Sequence, residues 1–212
     1  MLSTSQSMQA PATSLLPGFA DPVDDAQQVF RATLEAFAHP GRLETLPARS
    51  EGQPDGLSPA LTALLLTLAD PDTPVWLPVE VPAAARAFLR FHCGCPLVDA
   101  VGDATFVCVP AGHAMPALDA CAQGLPDYPD RSATLIVELP SLDAGDAFTL
   151  RGPGIETTQT LRATGLPDDF PARWAANNAR FPLGADLLLA SGDRFCALTR
   201  TTQVAVPANP ET

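Results

Sequence analysis

The sequence predicts a single α/β domain over residues 21–206, a mixed sheet flanked by helices. Three observations predict it. The runs ATFVCV (104–109) and ATLIVEL (133–139) are short, β-rich and almost wholly apolar, as strands covered on both faces are. Helical patterns alternate with such runs through the first two-thirds of the chain, and hairpin-like pairs fill the last third. No internal repeat and no linker divides the 212 residues, a length that suits one domain. Residues 1–20 and 207–212 read as loose tails.

Asp21-Pro22 opens the first helix, with an Asp cap, Pro in the first turn and Asp24 and Asp25 facing the positive helix end. Val23, Ala26, Phe30, Leu34 and Phe37 fall at helical spacing, and His39-Pro40-Gly41 stops the run. Ser58-Pro59 repeats the start signal before ALTALLLTLAD, a helix apolar nearly all round that must be buried on most sides. The turn Asp70–Pro74 leads to a short strand VWL, and PAAARAFLRFH forms a third helix before Cys93-Gly94-Cys95-Pro96. After the strand at 104–109 a short helix is expected around Ala117–Gln123, then the strand at 133–139. FTLRGPGI (148–155) and TLRAT (160–164) read as strand, turn and strand, followed by a helix at roughly 168–180 that contains Trp174. ADLLLAS, Gly192-Asp193 and RFCALTR form a hairpin, and TTQVAV closes the chain.

Composition narrows function. The chain is 46% hydrophobic and 17% charged, which excludes a mainly disordered protein and a coiled coil. A formal charge of −12 argues against nucleic-acid and anionic-membrane partners, which call for a basic face. All 12 basic residues are Arg, so Schiff-base, pyridoxal-phosphate and P-loop chemistries that need a lysine are excluded within this chain. No stretch reaches the roughly 18 apolar residues that span a bilayer. The first residues lack a basic region and a continuous apolar segment, so no signal peptide is expected. Five cysteines in no disulfide-framework spacing, four of them beside aliphatic residues, fit buried free thiols in a reduced, cytoplasmic protein.

Several groups could carry chemistry. His92, Cys93 and Cys95 place three soft ligands within four residues, yet the C-x-C spacing and scattered remaining ligands favour a structural thiol pair over zinc or redox work. His39 and His92 sit at helix ends, where a cation or capping donor is favourable. No Gly-x-Ser-x-Gly elbow occurs, and no catalytic triad follows from spacing. Arg151-Gly152-Pro153-Gly154 can aim backbone N–H groups and a guanidinium fork at an anion, or simply end a strand. No nucleotide fingerprint accompanies it. Arg200 can pair with a nearby carboxylate or bind a phosphate. Asp70 and Asp72 are turn formers before they are metal ligands, and no metal or cofactor is expected.

Seven segments together resemble the PhnH family of the bacterial carbon–phosphorus lyase system. They are DAQQVFRATLEAFAHPGR (25–42), LLLTLADPDTPVWL (64–77), LRFHCGCPL (89–97), ATFVCV, ATLIVEL, LRGPGIE (150–156) and FPLGADLLLASGDRFCALTRTT (181–202). Their order and spacing agree from about residue 20 to residue 206. The resemblance implies a fold similar to the large domain of pyridoxal-phosphate-dependent transferases, without that cofactor. It implies a homodimer that joins PhnG, PhnI, PhnJ and PhnK, and with PhnG, PhnI and PhnL supports displacement of adenine from ATP by a phosphonate. The implied product is a ribose 1-phosphonate 5-triphosphate, later cut by PhnJ. PhnI is thought to carry the nucleosidase chemistry, and no catalytic residue is transferred to this chain. Two roles follow, an assembly subunit or an interface pocket for phosphonate or nucleotide. For the pocket, the chemistry of the matching segments points to Arg31, Arg90, His92, Arg151, Gly154 and Arg200. A stand-alone metal or redox protein using Cys93 and Cys95 is the alternative.

Overall fold

The computed structural model describes residues 15–207; residues 1–14 and 208–212 of the expected tails lie outside the described residues. Residues 15–20 run along the domain. The Leu16 carbonyl accepts from His92 Nε2 at 2.9 Å, and the Pro17 carbonyl accepts from Ser50 Oγ and the Gly52 N–H, both at 3.1 Å.

Four helices form, α1 (Pro22–Ala38), α2 (Pro59–Leu68), α3 (Ala83–His92) and α4 (Phe170–Asn178). The strands are β1 (Glu44–Thr45), β2 (Val75–Trp76), β3 (Leu97–Val98), β4 (Phe106–Val109), β5 (Gln123–Leu125) and β6 (Tyr128–Ser132). They continue with β7 (Thr134–Glu138), β8 (Ser141–Arg151), β9 (Gln159–Thr164), β10 (Asp186–Ser191), β11 (Arg194–Leu198) and β12 (Gln203–Ala205).

Seven strands make the main sheet in the order β1-β11-β10-β7-β4-β2-β3. From β10 to β3 all neighbours are parallel, whereas β11 runs antiparallel to β10 and β1 antiparallel to β11. The mixed sheet is therefore as expected. Strand residues alternate between two cores. Cys108, Ile136, Leu188 and Ala190 meet α1, α2 and α3, whereas Val107, Leu135, Val137 and Leu189 meet α4 and a second sheet, β12-β8-β9. Cover on both faces is why these strands read as unbroken apolar runs.

The helices follow their local signals. The Asp21 carboxylate accepts from the N–H groups of Val23 and Asp24, both at 3.1 Å, and caps α1. Ser58 Oγ accepts from the Leu61 N–H at 3.2 Å and caps α2, whose residues Ala60 to Leu65 are all buried. Under α4, Phe170 stacks on Trp174 with ring centroids 5.9 Å apart, and the buried indole N–H donates to the Thr202 carbonyl at 2.7 Å.

Two local expectations change. The small residues Thr33 and Ala36, with Val29, turn inward from α1, because short side chains allow its close approach to α2 and β11. Three members of the apolar series face solvent instead, with Val23 71%, Phe30 47% and Leu34 52% exposed. The short helix expected around 117–123 is only a 3₁₀ turn at Leu118–Ala120, after which β5 and β6 form a separate hairpin. Gly124, at φ +80°, permits that change of course.

Arg200 ties this hairpin to the main sheet. Its Nε donates to both Asp186 carboxylate oxygens at 3.2 Å, Nη1 to the Pro129 and Pro182 carbonyls at 2.9 and 3.3 Å, and Nη2 to Ser132 Oγ and Asp186. All five N–H groups are engaged, and the two side chains are only 14% and 19% exposed. Gly154 is equally constrained. Its φ is +81°, and a Cβ there would lie 2.1 Å from the Ala38 carbonyl oxygen at the end of α1.

Two stability predictions follow from these contacts. Arg200→Ala strands a half-buried Asp186 carboxylate and should lower unfolding free energy by roughly 3 kcal/mol, measured by urea denaturation; an unchanged midpoint would refute the tie. Gly154→Ala should cost at least about 2 kcal/mol, a fall of roughly 4–8 °C in Tm for a chain of this size. An unchanged melting curve would show that the turn tolerates a side chain.

Candidate functional site

The parallel strands β2, β4 and β7 deliver their carboxyl ends to one edge of the sheet, the edge where open α/β folds hold ligands. A groove lies there. One part of it, about 840 Å³, is lined by Trp76, Pro78, Glu80, Arg86, Asp99 and His113. His113 also lines the next cavity, about 290 Å³, with Met115, Glu138, Gly165 and Arg173. Arg173 in turn lines a third, about 180 Å³, with Leu118, Asp119, Gln123, Ala176 and Arg180.

Three of the polar groups here are oriented by backbone carbonyls. The Trp76 indole N–H donates to the Asp99 carbonyl at 3.1 Å. Arg86 leans across the end of β2, its Nε on the Val81 carbonyl and its Nη2 on those of Leu77 and Pro78. His113 Nδ1 lies 3.2 Å from the Ala111 carbonyl, which accepts from it when that nitrogen carries the ring hydrogen. Glu138 ends β7 half-buried, and burial pushes its carboxyl above the usual range against opposing hydrogen bonds from Ser58 and the Ala111 backbone. The groove thus offers guanidinium donors, one imidazole and a carboxyl that holds its proton more tightly than usual.

The six residues singled out from sequence do not gather there. Arg31 lies exposed on α1, with Nη2 3.4 Å from Gln27 Oε1. Arg90 is exposed on α3, and His92 closes that helix between Phe88 and Phe91, with ring centroids 4.4 and 4.9 Å away. Arg151 ends β8 in solvent. Gly154 lines a separate cavity of about 250 Å³ with His39 and Arg42, whose guanidinium pairs with Glu35 and Glu44. Arg200 is consumed by its fold contacts beside a shallow surface of Phe181 and Pro182. No two of the six share any of these cavities.

The cysteines give little to work with. All five are buried and free. Burial pushes the Cys121 thiol up to about 11 and Cys196 up to about 12, and raises Cys108 further, so none of these three is a thiolate near neutrality. Cys93 Sγ lies 3.5 Å from the Leu65 carbonyl, and its hydrogen bond with the nearby Cys95 thiol, together with burial, raises its pKa. Among the described residues no three His, Cys, Asp or Glu side chains converge as a metal site would need, so the metal reading of Cys93 and Cys95 has no ligand set.

Sequence reasoning missed Arg86, His113, Glu138, Arg173 and Arg180. The available signal was position: Glu138 ends a strand, and His113 follows one by a few residues.

Comparison with known proteins places the chain. The profile described as PhnH, a bacterial phosphonate metabolism protein, matches residues 17–205. The alpha-D-ribose 1-methylphosphonate 5-triphosphate synthase subunit PhnH of Rhizobium meliloti (strain 1021) is 42% identical over 187 residues, 88% of this chain and 93% of that protein. HtxG of Stutzerimonas stutzeri, assigned by name to the C-P lyase subunits, is 30% identical over 178 residues, 84% of this chain and 85% of that protein. The resemblance carried by the seven segments is thereby borne out. The chain belongs to the PhnH family of bacterial phosphonate metabolism proteins.

Proposed function

We propose that this protein is the PhnH-type subunit of an alpha-D-ribose 1-methylphosphonate 5-triphosphate synthase in organic phosphonate catabolism. In the reaction of that complex, a phosphonate oxygen bonds to C1 of the ATP ribose as the bond to adenine breaks, and adenine leaves. The protein acts in the cytoplasm, as a homodimer when free and with PhnG, PhnI, PhnJ and PhnK when assembled. Its role is chiefly assembly, on a scaffold likened to the large domain of pyridoxal-phosphate-dependent transferases but free of that cofactor. Among the described residues no helix is long and apolar enough to cross a membrane, in keeping with that placement.

The observation that carries the assembly reading is the uncovered stripe on α1. Phe30 lies seven residues from Val23 and four from Leu34, so the three share one helix face, and all three are exposed. Large apolar side chains grouped on one helix face mark an interaction surface. The named relative is a subunit, so the occupant is a companion chain of the same complex. The groove at the sheet edge supports a second reading, in which the subunit also holds part of a substrate.

The test is a paired substitution. Phe30→Ser with Leu34→Ser should leave thermal stability within about 2 °C, because exposed positions contribute little. Co-expressed with PhnG, PhnI and PhnJ, the variant should lose most of the complex that the native chain forms on size exclusion. Full assembly by a folded variant sinks the α1 surface. Self-association that is lost while the complex persists would assign the stripe to a second copy instead.

A further inference from the structure

From the geometry around α4 we infer that the 180 Å³ cleft between Arg173 and Arg180 is a binding site for a small tetrahedral oxyanion, of phosphate or alkylphosphonate size. This deepens the subunit reading by giving the protein a ligand contact of its own, and it rests on that reading for the source of the anion.

Two guanidinium groups line one small space. Arg173 is already paired with Asp169, whereas Arg180 has no carboxylate within 4 Å among the described residues, so its charge is the one left to attract an anion. Arg180 is positioned rather than loose. Gln123 Nε2 donates to the Leu118 and Cys121 carbonyls at 2.7 and 2.8 Å, which fixes the amide orientation and leaves Oε1 to accept from Arg180 Nη1 at 3.2 Å. The backbone beneath is held as well. Gly184 N–H donates to the Gln123 carbonyl at 3.0 Å, and Arg180 N–H to the Asn177 carbonyl at 3.1 Å. Asn177, 3% exposed, exchanges two hydrogen bonds of 2.9 Å with the Ala185 backbone and so pins α4 to the start of β10.

Arg173 stands on the same helix, with Nε on Asp169 Oδ1 at 2.7 Å and its two terminal nitrogens without a partner among the described residues. Guanidinium forks recognise phosphoryl oxygens in pairs, which suits this arrangement. Size selects among anions. The cleft is smaller than the roughly 300–1,000 Å³ of sites for drug-sized ligands, so it admits a phosphoryl or phosphonyl group and not a whole nucleotide. Leu118 and Ala176 supply an apolar wall for an alkyl substituent. Asp119, also on the lining, opposes an anion and sets the affinity below what two arginines alone would give.

Calorimetric titration of the full chain with methylphosphonate, inorganic phosphate and ATP tests the site. Saturable one-to-one binding of methylphosphonate is expected. Arg173→Gln and Arg180→Gln should each weaken it about tenfold or more, the loss expected for a charge-assisted hydrogen bond. Asp119→Asn should tighten it. Unchanged melting temperatures will show that the variants fold. ATP that binds more tightly, with the same dependence on both arginines, makes the terminal phosphate of a nucleotide the occupant. No binding at millimolar ligand, or binding indifferent to all three substitutions, overturns the site. If the native chain in that case still assembles with its companion subunits, only the oxyanion site falls and the subunit reading stands.

Discussion

Strands β4, β7 and β10 have to be covered on both faces, and the remaining architecture answers that requirement. Ile136 and Leu188 point into one core, while Leu135 and Leu189 point into the other, all fully buried. One cover is α1, α2 and α3, with α2 wedged so completely that six successive residues from Ala60 to Leu65 are buried. The other is α4 with the sheet β12-β8-β9, closed by Trp174 and its bond to the Thr202 carbonyl. With both faces spent on burial, the edge at the carboxyl ends of the strands is left for the groove. The outer face of α1 is left uncovered, with Val23, Phe30 and Leu34 exposed.

Local signals made much of this legible. Asp21 and Ser58 announce their helices because a side-chain oxygen can satisfy the first free N–H groups, and the structure uses both. The apolar runs announce the central strands because cover on both faces removes any polar alternation. Helical spacing does not say which stripe of α1 turns inward. Both Val23–Phe30–Leu34 and Val29–Thr33–Ala36 fit the period, and the tighter packing of the smaller set decides. The β5–β6 hairpin was illegible because polar residues such as Gln123, Asp130 and Arg131 carry weak alternation, and its hold on the domain comes from Arg200, far along the chain.

The site was less legible than the fold. Trp76, His113, Glu138 and Arg173 lie in four separate segments and meet only because the sheet order brings β2, β4 and β7 side by side. Arg200 illustrates the opposite case. From sequence it could serve a carboxylate or a phosphate, and Asp186 at the head of the neighbouring antiparallel strand takes it. In a chain with twelve arginines and twice as many acids, most guanidinium groups find a carboxylate or a carbonyl first. Arg180 is held instead by the Gln123 amide, with no carboxylate within 4 Å among the described residues.

The account stands on this protein working as one subunit among several. A tagged pull-down from phosphate-starved cells, read by mass spectrometry, tests that most directly. Recovery of PhnG, PhnI and PhnJ homologues together with the tagged chain is the predicted result. A chain that comes down alone, or with unrelated partners, under conditions where those homologues are expressed would contradict it.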